Sequence, residues 1–182
     1  MELLSQMSDN KFVLVLLQSK NYADVLYKVI GKVNKNKFNI CYVCLSKPYA
    51  DVIEELKNEK INYEHFIFID VVSSLHYKLK PIKNCIFIPG PDNLEDLMKA
   101  VKKAINKYRC EAVIFDTIST LLVYQQTHSI VKFTHELIMD KNQETVNKIY
   151  VVLKEKGLYK DESRKLVNDL NLFADKIIDI KD

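Results

Sequence analysis

Apolar residues fall along this chain in two rhythms, short unbroken runs and longer stripes that return every three or four positions. The runs Phe12 to Leu17, Asn39 to Leu45, Phe66 to Val71, Cys85 to Pro89, Glu111 to Asp116, Lys148 to Leu153 and Lys176 to Ile180 are rich in Val, Ile and Phe, the composition of strands. Several are apolar at successive positions, so both faces of the strand need cover. That predicts a mostly parallel sheet with helices on both sides, and it places Phe12 to Leu17 and Glu111 to Asp116 in the sheet interior.

The stripes lie between the runs. Tyr22, Val25, Leu26, Val29, Ile30 and Val33 share one helical face, with Asn21 as the expected N-cap. A second helix is expected from Pro48 to about Glu59, with Val52, Ile53 and Leu56 inward and Pro48 in the first turn, where its missing N–H costs nothing. Leu94, Leu97, Met98, Val101, Ala104 and Ile105 mark a third. Its acids Asp92, Glu95 and Asp96 stand at the start and Lys102, Lys103 and Lys107 at the end, the arrangement that complements the helix dipole. Further helices are expected over Ser129 to Asp140 and Asp161 to Phe173. Strand and helix alternate throughout, which predicts an α/β three-layer sandwich joined by right-handed crossovers. A chain of 182 residues supports one buried core, so residues 1–182 are read as a single domain.

Composition narrows the function classes. Of 27 basic residues only Arg109 and Arg164 are arginines, and arginine is the residue suited to bidentate base and phosphate contacts; a nucleic-acid partner is not expected. The lysines at 99, 102, 103 and 107 spread around one helix and read as a solvated face. No run approaches the roughly 20 apolar residues of a membrane helix, and the first residues lack a secretory signal, so a cytoplasmic location is expected. Cys41 and Cys44 form a CxxC, yet on a strand positions i and i+3 face opposite ways. They are read, with Cys85 and Cys110, as small buried residues. His128 and His135 lie seven apart, without the i, i+4 spacing of a helical metal pair, and no metal site is assigned.

Chemistry in an open parallel sheet gathers beyond the carboxyl ends of its strands. There Asp116 closes the run Ala112-Val113-Ile114-Phe115 and is followed by Thr117, Ser119 and Thr120. An acid in that setting suits a Walker B magnesium site, but the GxxxxGK[ST] phosphate loop is nowhere present and the chain has three glycines, Gly31, Gly90 and Gly157.

In order and spacing, the run Ile40 to Leu45, the strand Phe66 to Asp70, the segment Val113 to Leu122, the helix Phe133 to Ile138 and the closing Ala174 to Asp179 resemble the RecA-like superfamily. The resemblance is specifically to the archaeal KaiC-like branch, often described as signal-transduction ATPases, and its relatives without Walker motifs. The resemblance implies the RecA-like P-loop NTPase topology. It also implies, in intact members, a glycine-rich loop after the first strand and an acidic base just after the second. Here Gln18 to Asn21 carry no glycine to bring backbone N–H groups onto a phosphate, and Ser46 and Lys47 stand where the base belongs. No catalytic residue and no cofactor are therefore expected. The chain is read as a regulatory or protein-interaction module that binds a protein partner or a second copy of itself. The alternative is a nucleotide sensor or weak ATPase that retains ATP and magnesium at Lys20, Asp116 and Thr117. Without a ligand, Asp116 is expected to cap the following turn through the backbone N–H groups of Ile118 and Ser119.

Overall fold

The computed structural model describes residues 10–18, 20, 22–36, 39–75, 79–154 and 159–180. Seven strands, β1 (Phe12–Leu17), β2 (Ile40–Cys44), β3 (Phe66–Asp70), β4 (Cys85–Phe87), β5 (Ala112–Asp116), β6 (Asn147–Leu153) and β7 (Lys176–Asp179), form one sheet. Their order is β4-β3-β2-β5-β6-β1-β7, and every neighbouring pair is parallel. The two runs expected inside the sheet are there, β1 between β6 and β7 and β5 between β2 and β6. All side chains of both strands are buried, as double cover requires.

Among the described residues five helices supply the cover: α1 (Tyr22–Asn36), α2 (Tyr49–Asn58), α3 (Leu94–Tyr108), α4 (Thr127–Met139) and α5 (Lys160–Asn171). Helices α1 and α2 pack Leu26, Ile30, Val52 and Leu56 on the face that carries Val13, Val15, Tyr42, Ile114 and Val151. The other face, with Leu14, Val43, Phe115 and Tyr150, receives α3, α4 and α5. Its centre is aromatic: Tyr150 meets Phe115 edge-on at 4.6 Å and Phe12 at 4.9 Å. Such pairs add about 0.5–1.5 kcal/mol beyond the area they bury.

Helix ends follow local chemistry. The Asn93 side chain accepts from the backbone N–H of Asp96 at 2.9 Å and its amide donates to the Asp96 carboxylate at 2.7 Å, fixing the start of α3. Arg109 closes the same helix in the left-handed region at φ 56°. The N-cap expected at Asn21 lies outside the described residues. Pro48 stands just before α2 rather than inside it, and β4 stops at Phe87, two residues short of the expected Pro89. Cys41 and Cys44 point to opposite sheet faces, buried and free. Among the described residues, no helix is long and apolar enough to cross a membrane.

Candidate functional site

At the carboxyl edge of the sheet Cys44 on β2 is the register partner of two acids, Asp70 on β3 and Asp116 on β5. Both side chains project to the face covered by α1 and α2, because they continue the parity of Phe66 and Phe68 on one strand and Ala112 and Ile114 on the other. Both are buried, at 0% and 1% exposure. A carboxylate taken so far from water has to find donors, and the two acids find different ones.

Asp70 is bound by backbone. One carboxylate oxygen accepts from the N–H groups of Val72 at 2.8 Å and Ser73 at 2.9 Å. The other accepts from the N–H of Tyr49 at 2.7 Å and from the Ser73 hydroxyl at 2.6 Å. It therefore caps the turn after β3 and the first residue of α2 together, supplying the negative end that a helix N-terminus favours.

Asp116 is bound by phenols. Tyr22, the first residue of α1, donates to one oxygen, and Tyr42 on β2 donates to the other at 2.5 Å. The cap expected on Ile118 and Ser119 is not formed: the turn that follows has no side-chain cap, and the carboxylate faces across to α1 and β2 instead. The reason is parity, since Asp116 inherits the face of Ile114 while the turn runs beneath α4 and α5 on the other face. Burial raises the Asp116 pKa above the ordinary carboxyl value, against the two phenol bonds and the Lys47 charge, which favour the ionised form. The same burial, with Asp116 opposite, pushes Tyr22 and Tyr42 well above the usual phenol value, so both remain donors.

The residues around this pair complete the closure. The Ser46 hydroxyl lies 3.5 Å from the Tyr22 hydroxyl, and Ser46 also donates to the backbone carbonyl of Asp116, at 3.1 Å from its N–H and 3.3 Å from its side chain. Lys47 sits with its ammonium 5.7 Å from the centre of the Tyr22 ring and binds both oxygens of Glu55, at 2.6 and 2.8 Å. Tyr27, farther along α1, donates to the same Glu55. Ser46 and Lys47 thus fasten α1 and α2 to the sheet edge. Lys47 is a half-buried cation already paired with Glu55.

The other sequence candidates make different contacts. Lys20 is exposed and is not among the partners of Asp116. Thr117 is fully buried, with its hydroxyl 2.8 Å from that of Thr120 and 3.4 Å from that of Ser119, so it is spent within its own turn. Among the described residues, the side-chain hydrogen bonds of Asp116 and Thr117 run to Tyr22, Tyr42, Thr120 and Ser119, and none runs to Lys20. His128 and His135 are exposed, and His135 packs against Phe173. Lys99 pairs with Glu95 and Asp96, and Lys102 with Asp140, as a solvated helix face would.

Sequence reading put Asp70 among the residues that close the strands but gave it no role, and it missed Tyr22, Tyr27, Tyr42 and Glu55 as members of this edge. One signal was available: Asp70 closes the run Phe66-Ile67-Phe68-Ile69 just as Asp116 closes its own. A second was the choice of Tyr rather than Phe on buried faces, because a buried phenol needs a partner for its hydroxyl.

No family profile and no curated protein matches this sequence. Among solved structures the chain is similar to the KaiC-like protein PH0186 of the hyperthermophilic archaeon Pyrococcus horikoshii OT3. The TM-score is 0.57 at 11% identity, over 94% of this chain and 72% of that one. The fold is RecA/KaiC-like. With its seven parallel strands and helices on both faces it agrees with the topology expected from the order of motifs, and at this identity the likeness concerns architecture alone.

Proposed function

We propose that this chain is a non-catalytic RecA/KaiC-like domain that acts as a regulatory or protein-interaction module in the cytoplasm. The observation that carries the reading is the state of Asp116. The acid that would hold magnesium in a nucleotide-hydrolysing relative has both oxygens occupied by Tyr22 and Tyr42. A metal held by one carboxylate needs substrate phosphates as further ligands, and no glycine loop is present to position them. Lys47, three residues beyond the end of β2, is committed to Glu55. With hydrolysis absent, the face next to this edge serves a protein partner or a second copy of the chain.

The test is nucleotide itself. Purified protein is expected to show no ATP or GTP turnover above background with magnesium, and no thermal shift with ATP and magnesium. A ligand present at 100 times its Kd adds roughly 2.7 kcal/mol of stability, a shift easily read in a melt. Such a shift would overturn the proposal in favour of a nucleotide sensor working through Lys20, Asp116 and Thr117.

A further inference from the structure

We propose that Asp116, Ser46 and Lys47 form a phenol-recognition pocket which Tyr22 fills from within the chain, and that a tyrosyl side chain of a protein partner is its exchange ligand. Each part of a phenol meets a matching group. The hydroxyl donates to the buried Asp116 carboxylate and lies 3.5 Å from the Ser46 hydroxyl, and the ring has the Lys47 ammonium 5.7 Å from its centre. The carboxylate is held in place by a second phenol, Tyr42, which belongs to an interior strand and does not leave.

Tyr22 differs from Tyr42 in how it is held. It is the first residue of α1, where the backbone N–H groups have no partner within the helix and the terminal turn is the least stable part of the element. It is half-buried, whereas Tyr42 is fully buried. The rest of α1 is anchored independently, by Tyr27 on Glu55 and by Leu26, Val29 and Ile30 in the core. Opening the first turn therefore releases one phenol and leaves the sheet, α2 and most of α1 standing. The vacated position keeps its acceptor, its hydroxyl and its cation.

This inference rests on the reading of the edge as closed to nucleotide, and its test contains no nucleotide, so the two fail separately. The full chain carrying Tyr22→Ala is titrated with p-cresol and, in parallel, with toluene, by thermal melting and by amide chemical shifts. p-Cresol is expected to raise the melting temperature of the variant and to bind at least about tenfold more tightly than toluene, the difference one charge-assisted hydrogen bond supplies. The chain with Tyr22 intact is expected to respond to neither. Equal responses to the two probes, or none, overturn the proposal. Tyr22→Phe gives an independent arm because it retains the ring and loses only the hydroxyl. Its amide exchange is expected to rise severalfold in the first two turns of α1 and to stay unchanged in β5; unchanged protection in α1 overturns the latch.

Discussion

Asp70 and Asp116 stand on either side of Cys44, buried alike and facing the same way, and yet one is a brace and the other is a closed socket. Asp70 draws three of its four hydrogen bonds from backbone, and those donors leave only if the turn after β3 and the start of α2 come apart. Asp116 draws both of its bonds from side chains, one of them at a helix terminus. The type of donor decides whether a buried carboxylate is permanently structural or conditionally available.

The largest effect is expected from Asp70→Ala, which strands the N–H groups of Tyr49, Val72 and Ser73. Leaving several donors of a charged acceptor unpaired costs about 3 kcal/mol in total, read as a lower urea midpoint. If Asp116→Ala loses as much, the distinction between backbone and phenol partners is void.

A third buried charge extends the contrast. Lys148 on β6 is 2% exposed, and its ammonium donates to the backbone carbonyl of Gln143; no carboxylate lies within ion-pair distance among the described residues. Burial, with Lys11 nearby, holds its pKa down to about 8, against the pull of Asp140, Asp175 and Glu144. The folded amine thus loses its proton before the unfolded one, so stability rises with pH from about 8 towards the ordinary lysine value of 10.5. Lys148→Met is expected to stabilise the chain at pH 7 by on the order of 2 kcal/mol and to abolish that alkaline rise. A destabilised variant would mean that the ammonium is better satisfied than its single acceptor implies.

Asp116→Ala is expected to cost about 1 kcal/mol, since the orphaned Tyr42 hydroxyl is offset by removal of a buried charge. Its pH dependence is more diagnostic. Because the folded pKa is raised above 3.8, the unfolded carboxyl ionises first, and the stability that the protonated acid contributes is complete below that value and is lost as pH rises through the folded one. Urea melts across this window are expected to show a declining midpoint in the parent and a flatter profile in Asp116→Asn. Identical profiles would remove Asp116 as the titrating group. The smallest change is expected from Lys20→Ala, under about 0.5 kcal/mol, because Lys20 is an exposed residue outside the cluster.

The sequence by itself determined the layers of this protein. Unbroken apolar runs identified the strands that need cover on both faces and three-and-four spacing identified the helices, since each of these depends on residues close together in the chain. The edge was decided only in three dimensions. Asp116 meets Tyr22 across 94 positions and Tyr42 across 74, while Asp70 reaches Tyr49 across 21. Periodicity counts a tyrosine as one more apolar face and is blind to where its hydroxyl ends. Which of two equivalent aspartates closes on backbone and which closes on phenols depends on the neighbours that strand order brings together, and for Asp116 those are β2 and the first turn of α1.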